Sequence, residues 1–476
     1  MPAVVATTAL ALGLSACGSH YSTAQILSAQ GVRNVTETAG STQATGAVVP
    51  GPGSATSSSG QPTTSVGPTS VGQGPNGVSA TSPGSIGATQ GSTTSPVAQG
   101  AAAAGCTKQG APLVVGQVGA WSGLVGQSDS NARTGLAVWA NDVNSRGGVA
   151  CHPIKLYSID DQSDGSKSSA AVNDLVQNKG AQVLVASFVP IVSSAYRSAV
   201  ERNKMPTIGG DYVSQDWSES PYLYPVGGGP EAAYTIALKA SVAQGMKKVA
   251  LWYCVEAAAC SYGENLVKKN AARVGAQVVY ETSTSLTQSD FTSQCQNSRA
   301  AGAQAVYSFA DGSSVQRETR SCNNLGYNPL ILTDALAAIA PLRTDPNVNK
   351  GGLIFSPRVF PWMLDNSPAR KAFQDAYKLY APNAPTDASA AQAWASGKML
   401  EAVIATLGQN AVDNSITTAM VMEGLGKIKN VTLGGLIPPT TFAYRQPKTT
   451  PITCSYVALL KDQAWQPVGG GKLECL

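Results

Sequence analysis

Between Pro112 and Gly165 the chain passes through one complete cycle of apolar and polar positions. Leu113 to Val118 is a short apolar run bounded by Gly119, long enough for a buried parallel strand and too short for a helix. Gly119-Ala120-Trp121-Ser122-Gly123 interrupts the run. From Ser128 the apolar residues Ala132, Leu136, Val138, Trp139 and Val143 recur at helical spacing up to Arg146, where Gly147-Gly148 ends the helix. Pro153 to Ile159 then alternates into a second strand that stops at Asp160-Asp161. A strand joined through a helix to a parallel neighbour is the repeating unit of an α/β sheet. Ligands of such sheets sit beyond the carboxyl ends of the strands.

The same alternation continues. Strands are predicted at Val183–Ala186 and Met205–Ile208, with a helix at Ser193–Asn203 between them. Tyr224-Pro225-Val226-Gly227-Gly228-Gly229 is expected to cross between domains, because its three glycines can absorb dihedral change. After a helix at Glu231–Gln244, a second cycle places strands at Lys248–Tyr253, Ala276–Glu281, Ala305–Phe309 and Pro329–Thr333. Helices are expected between them at Tyr262–Val274, Phe291–Ala301 and Val315–Leu325. Leu353-Ile354-Phe355 begins a return crossing, helices at Ala369–Tyr380 and Ala388–Leu407 rejoin the first domain, and the last residues cross a third time. The fold class is therefore α/β, with two doubly wound parallel sheets.

The ends of the chain add an address. Ala3 to Ala16 is an apolar, uncharged run ending Leu14-Ser15-Ala16-Cys17-Gly18, which resembles a bacterial lipobox with Cys17 as the lipidated residue. The run is below the length that spans a bilayer. From His20 to Gly105 the chain is Ser, Thr, Gly, Pro, Gln and Ala with almost no charge, too few apolar residues to fold. As a flexible coil of roughly 85 residues it would average about 50 Å end to end, a tether for the folded part. The formal charge of +4 over 476 residues is small, and no basic stripe with interleaved aromatics occurs, so nucleic acid is excluded as a partner.

Catalytic chemistry finds little to work with. Only His20 and His152 exist, one in the tether and one beside Cys151 and Pro153, and there is no Gly-x-Ser-x-Gly elbow. The absence of Cys-x-x-Cys argues against zinc. Asp160-Asp161-Gln162-Ser163-Asp164-Gly165 starts like a calcium loop, but Ala171 stands where a bidentate Glu is needed. No phosphate loop or dinucleotide fingerprint is present. Neither an enzyme nor a cofactor is expected.

The ordered set of strand, Gly-Ala-Trp-Ser-Gly, helix ending Asn-Asp-Val-Asn-Ser-Arg-Gly-Gly-Val, and strand ending Tyr-Ser-Ile-Asp-Asp-Gln resembles the start of the type I periplasmic binding proteins. These deliver branched-chain amino acids and related solutes to ABC transporters. The likeness runs on through Tyr262-Gly263-Glu264-Asn265 to Asp334. It implies two lobes joined by a three-strand hinge, with a solute trapped between them. Expected boundaries are 1–17 for the signal peptide, 18–105 for the tether, 106–228 plus about 357–443 for lobe 1, and 229–356 plus about 444–476 for lobe 2.

By the same resemblance, Trp121 and Ser122 match a loop that closes over the ligand, and Ser193 lies near a serine segment that binds a carboxylate. Asp211 and Tyr212 fall in the next ligand loop, Tyr262 matches a tyrosine that stacks across the cleft, and Asp334 sits near an acid that pairs with an ammonium. Asp311 joins them as a polar residue beyond a strand end. Two features depart from amino-acid binders. The loop Ser187-Phe188-Val189-Pro190-Ile191-Val192-Ser193-Ser194 lacks a run of hydroxyls, and Asp211 would repel a carboxylate.

Apart from Cys17, eight cysteines remain in a chain expected to be exported, so disulfides are expected. Neighbourhood in the proposed fold pairs Cys106 with Cys151, Cys254 with Cys260, Cys295 with Cys322, and Cys454 with Cys475. The expected protein is a monomeric lipoprotein on the outer face of the bacterial cytoplasmic membrane. It would capture a small polar solute, such as an amino acid or amide, and pass it to an ABC permease. The alternatives are a ligand sensor and a ligand-free surface interaction module with the same clamp.

Overall fold

The computed structural model describes residues 106, 108–442 and 451–476. The lipobox with Cys17 and the tether at 18–105 lie outside the described residues. The first part of the chain gives β1 (Leu113–Gly119), α1 (Gly126–Ser145), β2 (Ile154–Asp160), α2 (Gly165–Gln177), β3 (Val183–Ser187), α3 (Ser193–Asn203), β4 (Thr207–Gly210), α4 (Asp216–Glu219) and β5 (Leu223–Tyr224). The five strands form one parallel sheet in the order β2-β1-β3-β4-β5. Because β1 lies inside this sheet with helices on its faces, its side chains are buried nearly throughout. Gln117 is the polar residue in that run, and it is fully occupied: its amide donates to the carbonyls of Ala132 and Ala186, and its oxygen accepts from Ser158. The helix α2 is not marked by the apolar pattern, since its buried stripe is only Ala171, Val172 and Leu175 among Ser, Lys and Asn.

The second part gives α5 (Pro230–Ala243), β6 (Lys248–Cys254), α6 (Ala258–Asn270), β7 (Gln277–Thr284), α7 (Thr292–Ala300), β8 (Ala305–Phe309), α8 (Gly312–Asn324), β9 (Leu330–Asp334), α9 (Pro346–Gly351) and β10 (Leu353–Ser356). There follow α10 (Pro368–Tyr380), α11 (Ala388–Ala405), α12 (Gln409–Asp413), α13 (Thr418–Gly426), β11 (Cys454–Ser455), β12 (Ala458–Lys461), β13 (Ala464–Pro467) and β14 (Glu474–Cys475). The second sheet has seven strands in the order β13-β12-β10-β9-β8-β6-β7. Its core is parallel, but β12 and β13 add an antiparallel hairpin at one edge. Periodicity predicts a helix over 262–274. The helix α6 instead starts at Ala258, so Cys260 stands in its first turn within reach of Cys254 at the end of β6.

The helices after β10 return to the first sheet. Helix α11 lies along α1 and over β3 and β4. The approach is close because small residues face large ones: a Cβ on Gly397 would come within 2.3 Å of the Trp139 ring, and one on Gly135 within 2.5 Å of the Ala390 carbonyl. Trp139 Nε1 donates to Glu401, and the Asn131 amide donates to Asp387 at the N-cap of α11. The bodies built round the two sheets are the two lobes.

Three chain segments run side by side where the lobes join. Gly228 N–H donates to the Arg358 carbonyl, Gly229 N–H to the Ile452 carbonyl, and Tyr456 N–H to the Pro357 carbonyl. Gly227 has φ of +100°, and a Cβ there would lie 2.8 Å from the Arg358 carbonyl, so glycine is needed on both counts. The disulfides among the described residues are Cys106–Cys151, Cys254–Cys260, Cys295–Cys322 and Cys454–Cys475. Cys454 and Cys475 face each other in the β11–β14 ladder. No helix among the described residues is long and apolar enough to cross a membrane.

Candidate functional site

A cavity of about 90 Å³ lies between the lobes, and every loop that reaches it leaves the carboxyl end of a strand or opens the following helix. The first lobe supplies Val125, Ser128 and Asp129 at the start of α1, Pro190 and Ile191 after β3, and Val213 after β4. The second lobe supplies Cys254, Ala257 and Cys260 after β6, Phe309, Ala310 and Asp311 after β8, and Asp334, Leu336 and Ala337 after β9. Tyr234 of α5 and Leu286 complete the wall. The lining is mainly hydrocarbon, with a few polar groups, which suits a small organic molecule. At this level the lobes touch directly, where Gly312 N–H of the second lobe donates to Ser128 Oγ of the first at 3.3 Å.

Of the residues singled out from the sequence, Asp311 and Asp334 line this cavity. Asp311 caps α8, accepting from the backbone N–H groups and the hydroxyls of Ser313 and Ser314. Asp334 accepts from Leu336 N–H and forms a 2.5 Å ion pair with Arg358, whose guanidinium also donates to the Gly228 carbonyl and lies over the Tyr234 ring. An ammonium-binding role for Asp334 thus competes with a buried arginine already in place.

The other candidates stand outside the cavity wall and are tied into the protein. Asp160 collects the loop at the end of β1: it accepts from the N–H groups of Trp121 and Ser122 and from Ser122 Oγ at 2.6 Å. The Trp121 ring covers Gly119 and lies 6.5 Å from Phe188, and its indole N–H is buried without a partner. Ser193 Oγ is engaged by Ser214 and the Asp216 carboxylate. Asp211 accepts from Val189 N–H and Trp217 Nε1, so it braces one first-lobe loop against another. Burial pushes its carboxyl up to about 7. Tyr212 packs on Trp217 and beside Gly229 at the joint, and burial raises its phenol to about 12. Tyr262 is half-buried on α6; burial raises its phenol, and Arg358 opposes the rise.

Asp129 is the residue that the sequence pattern does not reveal. An acid in a first helical turn is ordinarily solvated and favoured by the helix dipole. Here it is 1% exposed, and its carboxyl is held well above the usual carboxylate range, first by burial and then by the charges of Asp211, Asp161, Asp387 and Asp311. Burial likewise lifts Asp161 to about 6. The cleft face of the first lobe therefore rests on several buried acids. Among the described residues no cluster of His, Cys, Asp and Glu is arranged to hold a metal.

Comparison with known proteins agrees with this architecture. Residues 112–464 match the family model described as periplasmic binding protein. Among solved structures, a leucine-binding protein from Thermotoga maritima superposes with a TM-score of 0.63 at 16% identity, covering 75% of this chain and 97% of that one. A possible leucine/isoleucine/valine-binding protein from Rhodopirellula baltica gives 0.66 at 14% identity, covering 79% and 98%. An ABC transporter solute-binding protein from R. palustris in complex with benzoate gives 0.62 at 18%, covering 77% and 98%. No curated protein sequence matches the chain. The match over most of the chain, together with two α/β lobes, three connecting segments and a cavity between the lobes, makes this protein a member of the periplasmic binding protein family.

Proposed function

We propose that this protein is the extracytoplasmic receptor of an ABC transporter, holding a small solute with an apolar body between its lobes and presenting the closed form to a permease. The observation that carries this reading is the cavity, whose wall is contributed by both lobes around a three-segment joint, so that occupancy favours closure. Ile191, Val213, Leu286, Phe309 and Leu336 offer hydrocarbon to the solute. The hydroxyl expected to meet a carboxylate, Ser193, is spent on Asp216. These features favour an apolar body over the polar amino acid or amide expected from sequence. The chain is read as non-catalytic, with Cys17 carrying the lipid anchor.

A thermal-shift screen of the full chain against amines, amino acids, amides, sugars, polyols and aromatic acids tests the receptor reading. A binder at a hundredfold excess over its dissociation constant stabilises the folded state by about 2.7 kcal/mol. The shift is expected to vanish in Ile191→Arg, which fills the cavity. A hit that binds Ile191→Arg undiminished would place the site elsewhere, and a folded protein that responds to no compound would contradict the reading. Loss of membrane attachment in Cys17→Ser checks the anchor.

A further inference from the structure

One carboxyl oxygen at the cavity has nothing to bind. Asp129 lines the space, is almost wholly buried, and its Oδ2 has no hydrogen-bond partner. A buried anionic oxygen left bare costs several kcal/mol unless a cation or donor reaches it. The charged groups around it share its sign: Asp161 after β2, Asp211 after β4, Asp387 at the N-cap of α11, and Asp311 from across the cleft. No Lys or Arg lines the cavity. Arg358 is bound to Asp334, Arg317 is turned to the carbonyls of Leu286 and Gln288, and Arg133, one turn further along α1, is exposed.

An anionic solute would find no Lys or Arg in the wall to receive it and would meet Asp311 from across the cleft. A neutral one could donate to Oδ2 but would leave a carboxylate charge there unpaired among the surrounding acids. We propose, resting on the receptor reading above, that the solute is an organic cation: an amine with a small apolar body, for which Asp129 is the counter-ion. Phe309 and Tyr234 add aromatic surface to the wall for the apolar body of that amine. The volume of about 90 Å³ is below the roughly 150 Å³ that admits benzene, so the space in this arrangement of the lobes suits a short alkylamine.

A proton accompanies the binding. Burial and the neighbouring acids raise the pKa of Asp129 in the empty site, and an ammonium requires it ionised, so below that raised pKa binding releases a proton. Affinity should rise by about tenfold per pH unit until the pH passes the raised pKa, and then level off.

Calorimetric titration of the full chain with matched sets of short alkylamines, alcohols and carboxylates provides the test. The amine is expected to bind, to release a proton measurable in buffers of different ionisation enthalpy, and to lose about a hundredfold in affinity in Asp129→Asn. That variant is expected to melt no lower than wild type without solute, which separates lost recognition from lost folding. Binding of a carboxylate or alcohol in preference to its amine overturns the assignment of charge while leaving the receptor reading intact. Amine binding undiminished in Asp129→Asn overturns the counter-ion. Failure of every compound, in these sets and in the wider screen, overturns the receptor reading and this inference with it.

Discussion

The two faces of the cleft use their acids differently. On the first lobe, Asp160 and Asp211 are consumed in holding loops: one gathers Trp121 and Ser122, and the other ties Val189 to Trp217. Asp129 alone lines the cavity from that lobe with a bare oxygen. On the second lobe both cavity acids are partnered, Asp311 by its helix cap and Asp334 by Arg358, although both line the space. Proximity to a cleft therefore does not make a ligand group. What remains after the protein has satisfied its own donors does.

Each term of that contrast can be broken. The largest effect is expected from Arg358→Ala, which leaves Asp334 without its partner at the joint and removes the donor to the Gly228 carbonyl. Breaking a buried pair in this way costs about 3–5 kcal/mol, measurable by urea unfolding. A loss below about 1 kcal/mol would mean that Asp334 is solvated and free to meet a solute.

Next comes the paired comparison of Asp211→Ala with Asp129→Asn. The first strands Val189 N–H and Trp217 Nε1, at about 1–3 kcal/mol for each buried donor. The second replaces a buried carboxyl whose Oδ2 no donor reaches in the empty protein, so its stability at pH 8 should be unchanged or higher. Equal losses in the two variants would erase the distinction between a bracing acid and a binding acid.

The smallest effect is a slope. Burial raises the folded-state pKa of Asp161 to about 6, and of Asp211 and Glu318 to about 7. For a carboxyl raised in this way the native state holds more protons than the unfolded chain between the two pKa values. These groups therefore make stability fall as pH rises from about 4 to about 7, with no further loss above that. Glu318 accepts from Ser308 through one oxygen and leaves the other buried without a partner. Glu318→Gln should flatten the fall in melting temperature over that window, and an unchanged slope would mean that Glu318 takes no part in it.

Much of the fold is legible in the sequence because strands such as Leu113–Gly119 and Val183–Ser187 are buried on both faces and so read as apolar runs. The cysteine pairs follow from that order: Cys254 ends one strand and Cys260 lies a few residues on, and these two are bonded, as are the other three expected pairs. The edge hairpin at 458–467 is not legible, since its strands are four residues each and the first gains its place by pairing with Leu353–Phe355, more than a hundred residues earlier. For the site, the sequence shows which loops carry acids and hydroxyls. Whether Ser193 is spent on Asp216, or Asp129 is left bare, depends on distances that spacing along the chain does not encode.

A crystal structure of the protein with the tightest binder from the screen would show directly whether Asp129 holds the solute. Density is expected between the lobes, with the apolar body against Ile191, Leu286 and Phe309 and the cationic end within hydrogen-bond reach of Asp129. A solute bound outside the cleft, or one in the cleft whose polar end turns away from Asp129, would contradict it.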